Sequence, residues 1–303
     1  MTRPAADHSP GGSQGALRGV YAVLLLQSLM ASGTHLVAKV VVNAVDAPTL
    51  TLIRCLVSVA GMAVLLLFSG PRVSIRRKDY RLIFVLSLLA IPVNQFFFLY
   101  GIRFTTAANA ALLYATTPAL VLLLSRILLG ERLTRRKVAG VALAFAGVLV
   151  VILERGPNAS MEYVYGNVII FLAVIAWSSY TVYGKRLIAH YGPIGASSVT
   201  LIVGTVLFIP VGIIPALAFP YETLSAANWL QILYLGIVTS VLAYVLWYYA
   251  LSRAEAGKVA LFTNLQPILT TVLAVLLLGQ SLTVMFVLGG MITLSGVILA
   301  QFG

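Results

Sequence analysis

The sequence consists of long apolar runs separated by short polar segments. Most runs contain close to the roughly 20 apolar residues that a helix needs to cross the hydrocarbon core of a bilayer. The pattern predicts ten membrane-spanning helices, at residues 19–43, 47–69, 80–101, 104–128, 137–153, 166–186, 194–217, 228–250, 257–278 and 283–302. Residues 1–18 are rich in Gly, Pro, Ser and Ala, which predicts a disordered tail before the first span.

The composition agrees with a membrane protein. Hydrophobic residues make up 60% of the chain and charged residues only 9%, whereas a soluble domain has about 25% charged residues. The net charge of +12 would suggest a nucleic-acid partner for a soluble protein. Here the basic residues lie in short loops between apolar runs, so we expect contacts with membrane lipid and no nucleic acid.

The basic residues also predict an orientation. Of the 20 Lys and Arg residues, sixteen fall on one side of the ten-span arrangement and two on the other, while Lys39 and Arg54 lie within spans. Basic loops face the cytoplasm. The distribution predicts that both chain ends, including the tail, are cytoplasmic in a multi-pass protein of a bacterial inner membrane.

The second half of the chain repeats the first. A segment from Pro118 matches a segment from Pro267 at a constant offset of 149 residues. The aligned pairs include Pro118 with Pro267, Gly130 with Gly279, Gly140 with Gly289, and Gly147 with Gly296. Five spans per repeat make the two copies antiparallel, so the predicted fold is all-α, with five-helix inverted repeats at 19–153 and 166–302. Such repeats are typical of secondary transporters that work by alternating access.

Several of these motifs resemble one known family. The early SGTHLVAK stretch, Pro48 with Arg54, and the ATTPALVLLLSRILLGERLT block followed by KVAGVALAFAGVLVV are similar to the drug/metabolite transporter superfamily, specifically its EamA family. The resemblance implies ten helices in two inverted repeats and the export or exchange of small metabolites. The sequence departs from the family pattern at Gln280, the counterpart of Glu131, and at Thr34-His35, where members often have Ser-Asn.

Three basic side chains lie well inside the predicted spans, away from their ends, where their cost makes them candidates for function. Lys39 and Arg54 lie roughly 6–8 Å and roughly 10 Å below the same outer surface at 1.5 Å per residue. Together they would attract a carboxylate or another anion; alternatively, both extend to lipid headgroups. His35, one turn deeper than Lys39, is either a proton-binding group or a neutral side chain hydrogen-bonded between helices.

Uncharged polar and aromatic residues accumulate in the same spans. As a set they predict a polar cavity with aromatic walls, which suits a small amphipathic solute such as an amino acid or its analogue. Together with His35, Lys39 and Arg54, we predict a substrate site formed by Asn94, Tyr114, Thr117, Trp177, Tyr180, Asn264 and Gln266. Pro118 and Pro267 occupy matching mid-span positions, which makes them candidate hinges.

The predicted function is therefore a secondary transporter that exports or exchanges such a solute. No Asp or Glu lies well inside a span, so proton coupling, where present, would depend on His35. The alternative is a carrier of phosphorylated metabolites or nucleotide-sugars, with Lys39 and Arg54 as phosphate ligands. The sequence predicts no cofactor and no metal, and a monomer is sufficient for this function.

The sequence lacks the motifs that are typical of other classes of membrane protein. An intramembrane enzyme needs a nucleophile with its base or a set of metal ligands, and here Ser32 near His35 is an isolated pair. A channel needs a filter-like loop or charged rings, and neither is visible. A nucleotide-driven pump needs a Gly-rich phosphate loop before a helix, which is also missing.

Overall fold

The computed structural model describes residues 10–69, 74–129, 134–153 and 160–302, and every regular element within these ranges is helical. The α-helices in chain order are α1 (Pro10–Val41), α2 (Ala47–Ser69), α3 (Tyr80–Leu88), α4 (Phe96–Ile102), α5 (Ala107–Tyr114), α6 (Thr117–Leu129), α7 (Arg135–Ile152), α8 (Met161–Ala218), α9 (Ala226–Leu233), α10 (Ala243–Arg253), α11 (Ala256–Leu261), α12 (Leu265–Leu278) and α13 (Val284–Phe302). The predicted tail residues 1–9 and the motif residues Gly130 and Glu131 lie outside the described residues.

Some of these helices join into longer elements. Two π-helices, Leu89–Gln95 and Tyr234–Leu242, connect α3 to α4 and α9 to α10 without a break. A 3₁₀ segment, Phe262–Asn264, connects α11 to α12. The resulting bounds lie within about five residues of the predicted spans, except that α1 begins at Pro10, inside the predicted tail.

Eight of the described helical elements are long and apolar enough to cross a membrane, judged by length and composition. Large apolar side chains such as Phe68, Leu217 and Leu276 cover their outer surface, where each is more than 70% exposed. Polar side chains such as Thr51, Ser178 and Thr270 are fully buried instead. This inside-out distribution is expected of a helical bundle surrounded by lipid, and it agrees with the predicted all-α membrane protein.

The 58-residue helix α8 folds back on itself. At 1.5 Å per residue it would extend about 87 Å if straight, nearly three times the thickness of a hydrocarbon core. Its chain turns at Gly192, which has a positive φ of 67° that residues with a Cβ rarely adopt. The hydroxyl groups of Tyr180 and Thr200 then lie 3.1 Å apart, so α8 consists of two antiparallel legs.

Helices α7 and α13 pack against each other through their glycines. A Cβ on Gly140 would lie 2.6 Å from the carbonyl oxygen of Gly296, and one on Gly147 would lie 2.6 Å from the carbonyl oxygen of Gly289. The residue number rises along α7 as it falls along α13, so the two helices run antiparallel. The glycines that the two repeats share therefore form one close helix–helix contact.

The fourth predicted span of each half is broken rather than kinked. Residues 115–116 form a turn between α5 and α6, and Phe262–Asn264 interrupts the corresponding place between α11 and α12. Pro118 and Pro267 lie in the first turn after each break, where a helix leaves backbone N–H groups without partners in any case. Because Pro118 has no N–H, it cannot donate to the carbonyl oxygen of Tyr114, four residues before it. The hydroxyl group of Thr117 donates to this oxygen instead, at 2.6 Å.

Candidate functional site

A cavity of about 80 Å³ lies in the interior, between side chains from both halves of the chain. Its walls come from α1, α2, α4, α5, α8, α10 and α12, from both π-helices and from the 3₁₀ segment. The lining residues are Gln27, Ala31, Thr34, His35, Arg54, Asn94, Gln95, Phe98, Tyr114, Trp177, Thr239, Ala243, Tyr244, Trp247, Thr263 and Gln266. Six of the predicted site residues are therefore brought together: His35, Arg54, Asn94, Tyr114, Trp177 and Gln266.

The π-helices supply polar groups at this cavity. A π-turn contains an extra residue, so its backbone hydrogen bonds are displaced, and such turns are frequent at functional sites. The first π-helix contains Pro92, which has no N–H to donate. It presents Asn94 and Gln95 to the cavity, while the second π-helix presents Thr239.

Arg54 is bound to the second π-helix. Its Nε donates to the carbonyl oxygen of Leu235 at 3.1 Å and to the Ser240 hydroxyl oxygen at 2.8 Å. Its Nη2 donates to the Thr239 hydroxyl oxygen at 3.1 Å. The side chain is only 4% exposed, and its Nη1 has no hydrogen-bond partner in the described part of the chain.

His35 lies between aromatic rings. It is 3% exposed, and its ring meets Phe98 and Tyr114 edge-on, with centroid distances of 5.3 Å and 5.5 Å. Tyr114 is held in place by the Asn94 amide, which donates to its hydroxyl oxygen at 2.7 Å and to the carbonyl oxygen of Ala173 at 2.9 Å. Nδ1 of His35 is left without a hydrogen-bond partner among the described residues.

An aromatic cluster forms one wall of the cavity. Trp177 lies 5.5 Å from Trp247 and 5.2 Å from Tyr244, measured between ring centroids. Behind it, Tyr180 stacks on Trp177 at 5.5 Å and on Tyr248 at 5.1 Å. Aromatic pairs at these distances stabilise each other.

Four predicted site residues lie elsewhere. Lys39, in the last turn of α1, extends to the end of α4, where its Nζ donates to the carbonyl oxygens of Ile102 and Arg103 at 3.0 Å and 3.1 Å. Tyr180 backs the aromatic wall, and Thr117 satisfies the backbone beside Pro118. Asn264 belongs to the 3₁₀ segment but does not line the cavity. Lys39 and Arg54 therefore do not form the cation pair that their depth in the sequence suggested.

Several cavity residues were absent from the predicted set, among them Gln27, Thr239, Tyr244 and Trp247. The repeat offset of 149 residues contained a signal for two of them. It aligns Gln95 with Tyr244 and the wall residue Phe98 with Trp247. The aligned Gln95 and Tyr244 also meet, because the Gln95 amide donates to the Tyr244 hydroxyl oxygen at 3.4 Å.

A second cavity of about 440 Å³ lies at one end of the bundle. Its lining includes the basic residues Lys185, Arg253 and Lys258, and also Leu24 and Leu251. Leu24 and Leu251 lie about one helical turn along α1 and α10 from residues of the first cavity, so the two cavities follow each other along the bundle.

A thin layer of side chains separates the two cavities. Phe262 stacks on Tyr21 with a centroid distance of 5.6 Å, and its carbonyl oxygen accepts a hydrogen bond from the Ser28 hydroxyl at 3.0 Å. Leu24, only 1% exposed, is buried beside them.

Four polar atoms of residues that line the first cavity have no hydrogen-bond partner among the described residues. They are Gln27 Oε1, His35 Nδ1, Arg54 Nη1 and Trp247 Nε1. Buried polar groups are normally hydrogen-bonded, so a concentration of unsatisfied ones indicates a place where a ligand or water binds. The described residues contain no group of three His, Cys, Asp or Glu side chains that could hold a metal ion.

Comparison with protein families gives a match along nearly the whole chain. The model of the EamA-like transporter family matches residues 18–153 and again residues 164–302. The two matched segments correspond to the two repeats inferred from sequence.

Curated relatives carry transporter names. The chain is 28% identical to the uncharacterized transporter YyaM of Bacillus subtilis, over 93% of each chain. It is 27% identical to a probable terminal-alkyne amino-acid exporter of Streptantibioticus cattleyicolor, over 74% of each chain. It is 29% identical to a probable amino-acid metabolite efflux pump of Salmonella typhimurium, over 71% of this chain and 75% of the relative.

Proposed function

This chain belongs to the EamA-like transporter family, and from that premise we propose that it exports or exchanges a small amphipathic metabolite by alternating access. The substrate class is an amino acid or an analogue of one. The observation that carries the proposal is the cavity, because both matched segments contribute to its walls. A site between two repeats is where secondary transporters bind their substrates.

We propose ten membrane crossings in two inverted five-helix repeats. Eight elements qualify by length and composition. Helix α8 supplies two crossings because its legs are antiparallel, and α7, whose first turn carries three basic residues, supplies the tenth. The antiparallel packing of α7 against α13, the last helices of the two repeats, supports the inversion. Both chain ends would then face the cytoplasm of a bacterial cell.

The proposed transport cycle depends on the layer between the two cavities. The larger cavity is lined by residues of the basic end, which the charge distribution assigns to the cytoplasm. Opening the layer of Leu24 and Phe262 would admit substrate from that side. The inner cavity of about 80 Å³ is smaller than typical ligand sites of 300–1,000 Å³, so binding requires the repeats to separate. The breaks before Pro118 and Pro267 are where we place the hinges.

The cavity fits an amphipathic solute better than the alternative substrates. A phosphorylated metabolite or nucleotide-sugar carries at least two negative charges, and among the residues that line the cavity Arg54 is the only Lys or Arg. Lys39, the second phosphate ligand of that alternative, is bound to backbone carbonyl groups outside the cavity. The printed names of two relatives, an amino-acid exporter and an amino-acid metabolite efflux pump, point to the same substrate class.

Transport into proteoliposomes tests this function. Purified protein should exchange at least one member of a panel of radiolabelled amino acids and N-acyl analogues, with and without a pH gradient. Trp247→Ala removes a buried part of the cavity wall and should reduce exchange at least about tenfold, since burial of an aromatic side chain stabilises a bound apolar group.

Trp229→Ala is the matched control, because Trp229 is 39% exposed and lies outside the cavity. It should exchange substrate like the wild type. Equal exchange by all three proteins, or no exchange of any panel member by folded wild-type protein, would refute the proposed function.

A further inference from the structure

Arg54 is a buried charge without a counter-ion. No carboxylate forms an ion pair with it among the described residues, and neither Asp nor Glu occurs in the lining of its cavity. Its hydrogen-bond partners are a carbonyl and two hydroxyl groups, which stabilise a guanidinium but do not neutralise it. An isolated charge in a membrane interior is costly, so its retention here indicates that an anion pairs with it during function.

The second π-helix fixes the orientation of the Arg54 guanidinium. Leu235 and Ser240 hold Nε, and Thr239 holds Nη2, which fixes the plane of the guanidinium. The nitrogen that remains is Nη1. A planar guanidinium held on one edge offers its free edge to an incoming carboxylate oxygen.

The other polar groups lie farther along the cavity. Trp247 follows Thr239 by eight residues, which corresponds to about 12 Å along the helix. Within the described part of the chain, its Nε1 has no hydrogen-bond partner, and neither has Oε1 of Gln27 on α1. The cavity therefore has one charged end and one neutral polar end, with aromatic rings along the wall.

We propose that this cavity is a monoanion site, in which Nη1 of Arg54 binds the carboxylate of the substrate and no acidic group is provided for an amino group. This inference rests on the proposed transport function and narrows its substrate class. The preferred substrates are amphipathic monocarboxylates, including amino acids whose amino group is acylated or missing.

Charge balance explains the preference. A monoanion neutralises Arg54, so the occupied cavity has no net charge to move through the membrane interior. A zwitterionic amino acid leaves the positive charge in place and also buries an ammonium without a carboxylate partner. A dianion leaves a net negative charge.

Three ligands that share one aromatic body provide the test. N-acetyl-L-phenylalanine is a monoanion, N-acetyl-L-phenylalaninamide is its neutral counterpart, and L-phenylalanine is a zwitterion. Their affinities for purified wild-type protein can be measured by isothermal titration calorimetry. The acid should bind at least about tenfold more tightly than the amide, because the amide cannot form the charge-assisted hydrogen bond. The acid should also bind more tightly than phenylalanine.

Variants then assign the effect to one side chain. Arg54→Gln should reduce the advantage of the acid over the amide to less than about twofold, whereas Arg54→Lys, which keeps the charge, should retain part of it. Lys39→Gln is the matched control, because Lys39 lies at a similar depth but outside the cavity. It should keep the full advantage.

The wild-type comparison does not depend on whether an Arg54 variant folds. Equal affinity for acid and amide, tighter binding of phenylalanine than of the acid, an acid preference that survives in Arg54→Gln, or no binding of any ligand would each overturn the monoanion site. The transport function is tested separately from the monoanion site. Exchange of solute without an acid preference would support the transport function and refute the monoanion site. Acid-selective binding without exchange would support the monoanion site and refute the transport function.

Discussion

His35 lies in the cavity that contains Arg54, buried between Phe98 and Tyr114. Among the residues that line this cavity it is the one histidine, the side chain that ordinarily changes charge near neutral pH. A second positive charge beside Arg54 is disfavoured in this buried aromatic site, and it would leave the cavity positively charged when a monoanion is bound. We therefore expect His35 to stay neutral and the binding of a monoanion to be independent of pH.

The prediction concerns His35→Gln, which keeps a polar side chain but cannot be protonated. Binding of N-acetyl-L-phenylalanine to the wild type should change by less than about twofold between about pH 8 and about pH 6, the range in which an exposed imidazole titrates, and the variant should show the same flat profile. His190→Gln is the control, since His190 is exposed at the end of the first leg of α8. Binding that strengthens with falling pH in the wild type and in His190→Gln, but not in His35→Gln, would show that His35 takes up a proton and would contradict this expectation.

Two side chains show which features of the site could be predicted from the sequence and which could not. Lys39 and Arg54 have similar depth and similar apolar neighbours in the sequence, so both were predicted as ligands. Their environments differ because each side chain binds to a segment that is distant in the chain. Lys39 donates hydrogen bonds at the end of α4, and Arg54 donates to the second π-helix, 181 residues away at Leu235.

At the scale of single elements, the pairing of α7 with α13 offers a sharp test of packing. A Cβ on Gly296 would lie 2.7 Å from the carbonyl oxygen of Gly140, a contact that backbone cannot relieve without a shift. Gly290 belongs to the same helix, but a Cβ there would meet only the side chain of Leu112, at 3.4 Å.

The two glycines should therefore respond differently to alanine. Gly296→Ala should destabilise the fold by about 2 kcal/mol, within the cost of forcing a methyl group into a packed interface. Gly290→Ala should be neutral or stabilising, because alanine favours a helix more than glycine does. Thermal unfolding of the purified variants in detergent measures both, and equal melting temperatures would contradict this account of the interface.

The elements themselves were largely predictable, and their irregularities were not. Apolar runs of membrane length identify a span without reference to its neighbours, whereas the repeated glycines marked two helices without indicating that they pack against each other. A π-helix or a broken span has the same apolar composition as a regular helix. The π-helix at Tyr234–Leu242 therefore left no signal in the apolar pattern, although its contacts with Arg54 are central to the site.

At the scale of the whole molecule, function depends on the number of crossings. If α8 crosses the membrane twice, Met161 and Glu222 lie near one face, and His190 lies near the other. If α8 crossed only once, Met161 and Glu222 would lie on opposite faces. Both residues are exposed at the surface, so cysteines placed there are accessible to a reagent.

Cysteine labelling in intact cells distinguishes these arrangements. A membrane-impermeant maleimide should label Met161→Cys and Glu222→Cys from outside, and should label His190→Cys only after the membrane is permeabilised. The native Cys55 is fully buried and provides an unlabelled background.

Two further positions calibrate the two faces. Asn43→Cys, in the turn after α1, should behave like the outer positions, and Lys78→Cys, before α3, should behave like His190→Cys. Labelling of Met161→Cys and Glu222→Cys from opposite faces would show that α8 crosses the membrane only once. The two repeats would then no longer be inverted, and the shared cavity could not open to each side in turn by the relative movement of the repeats.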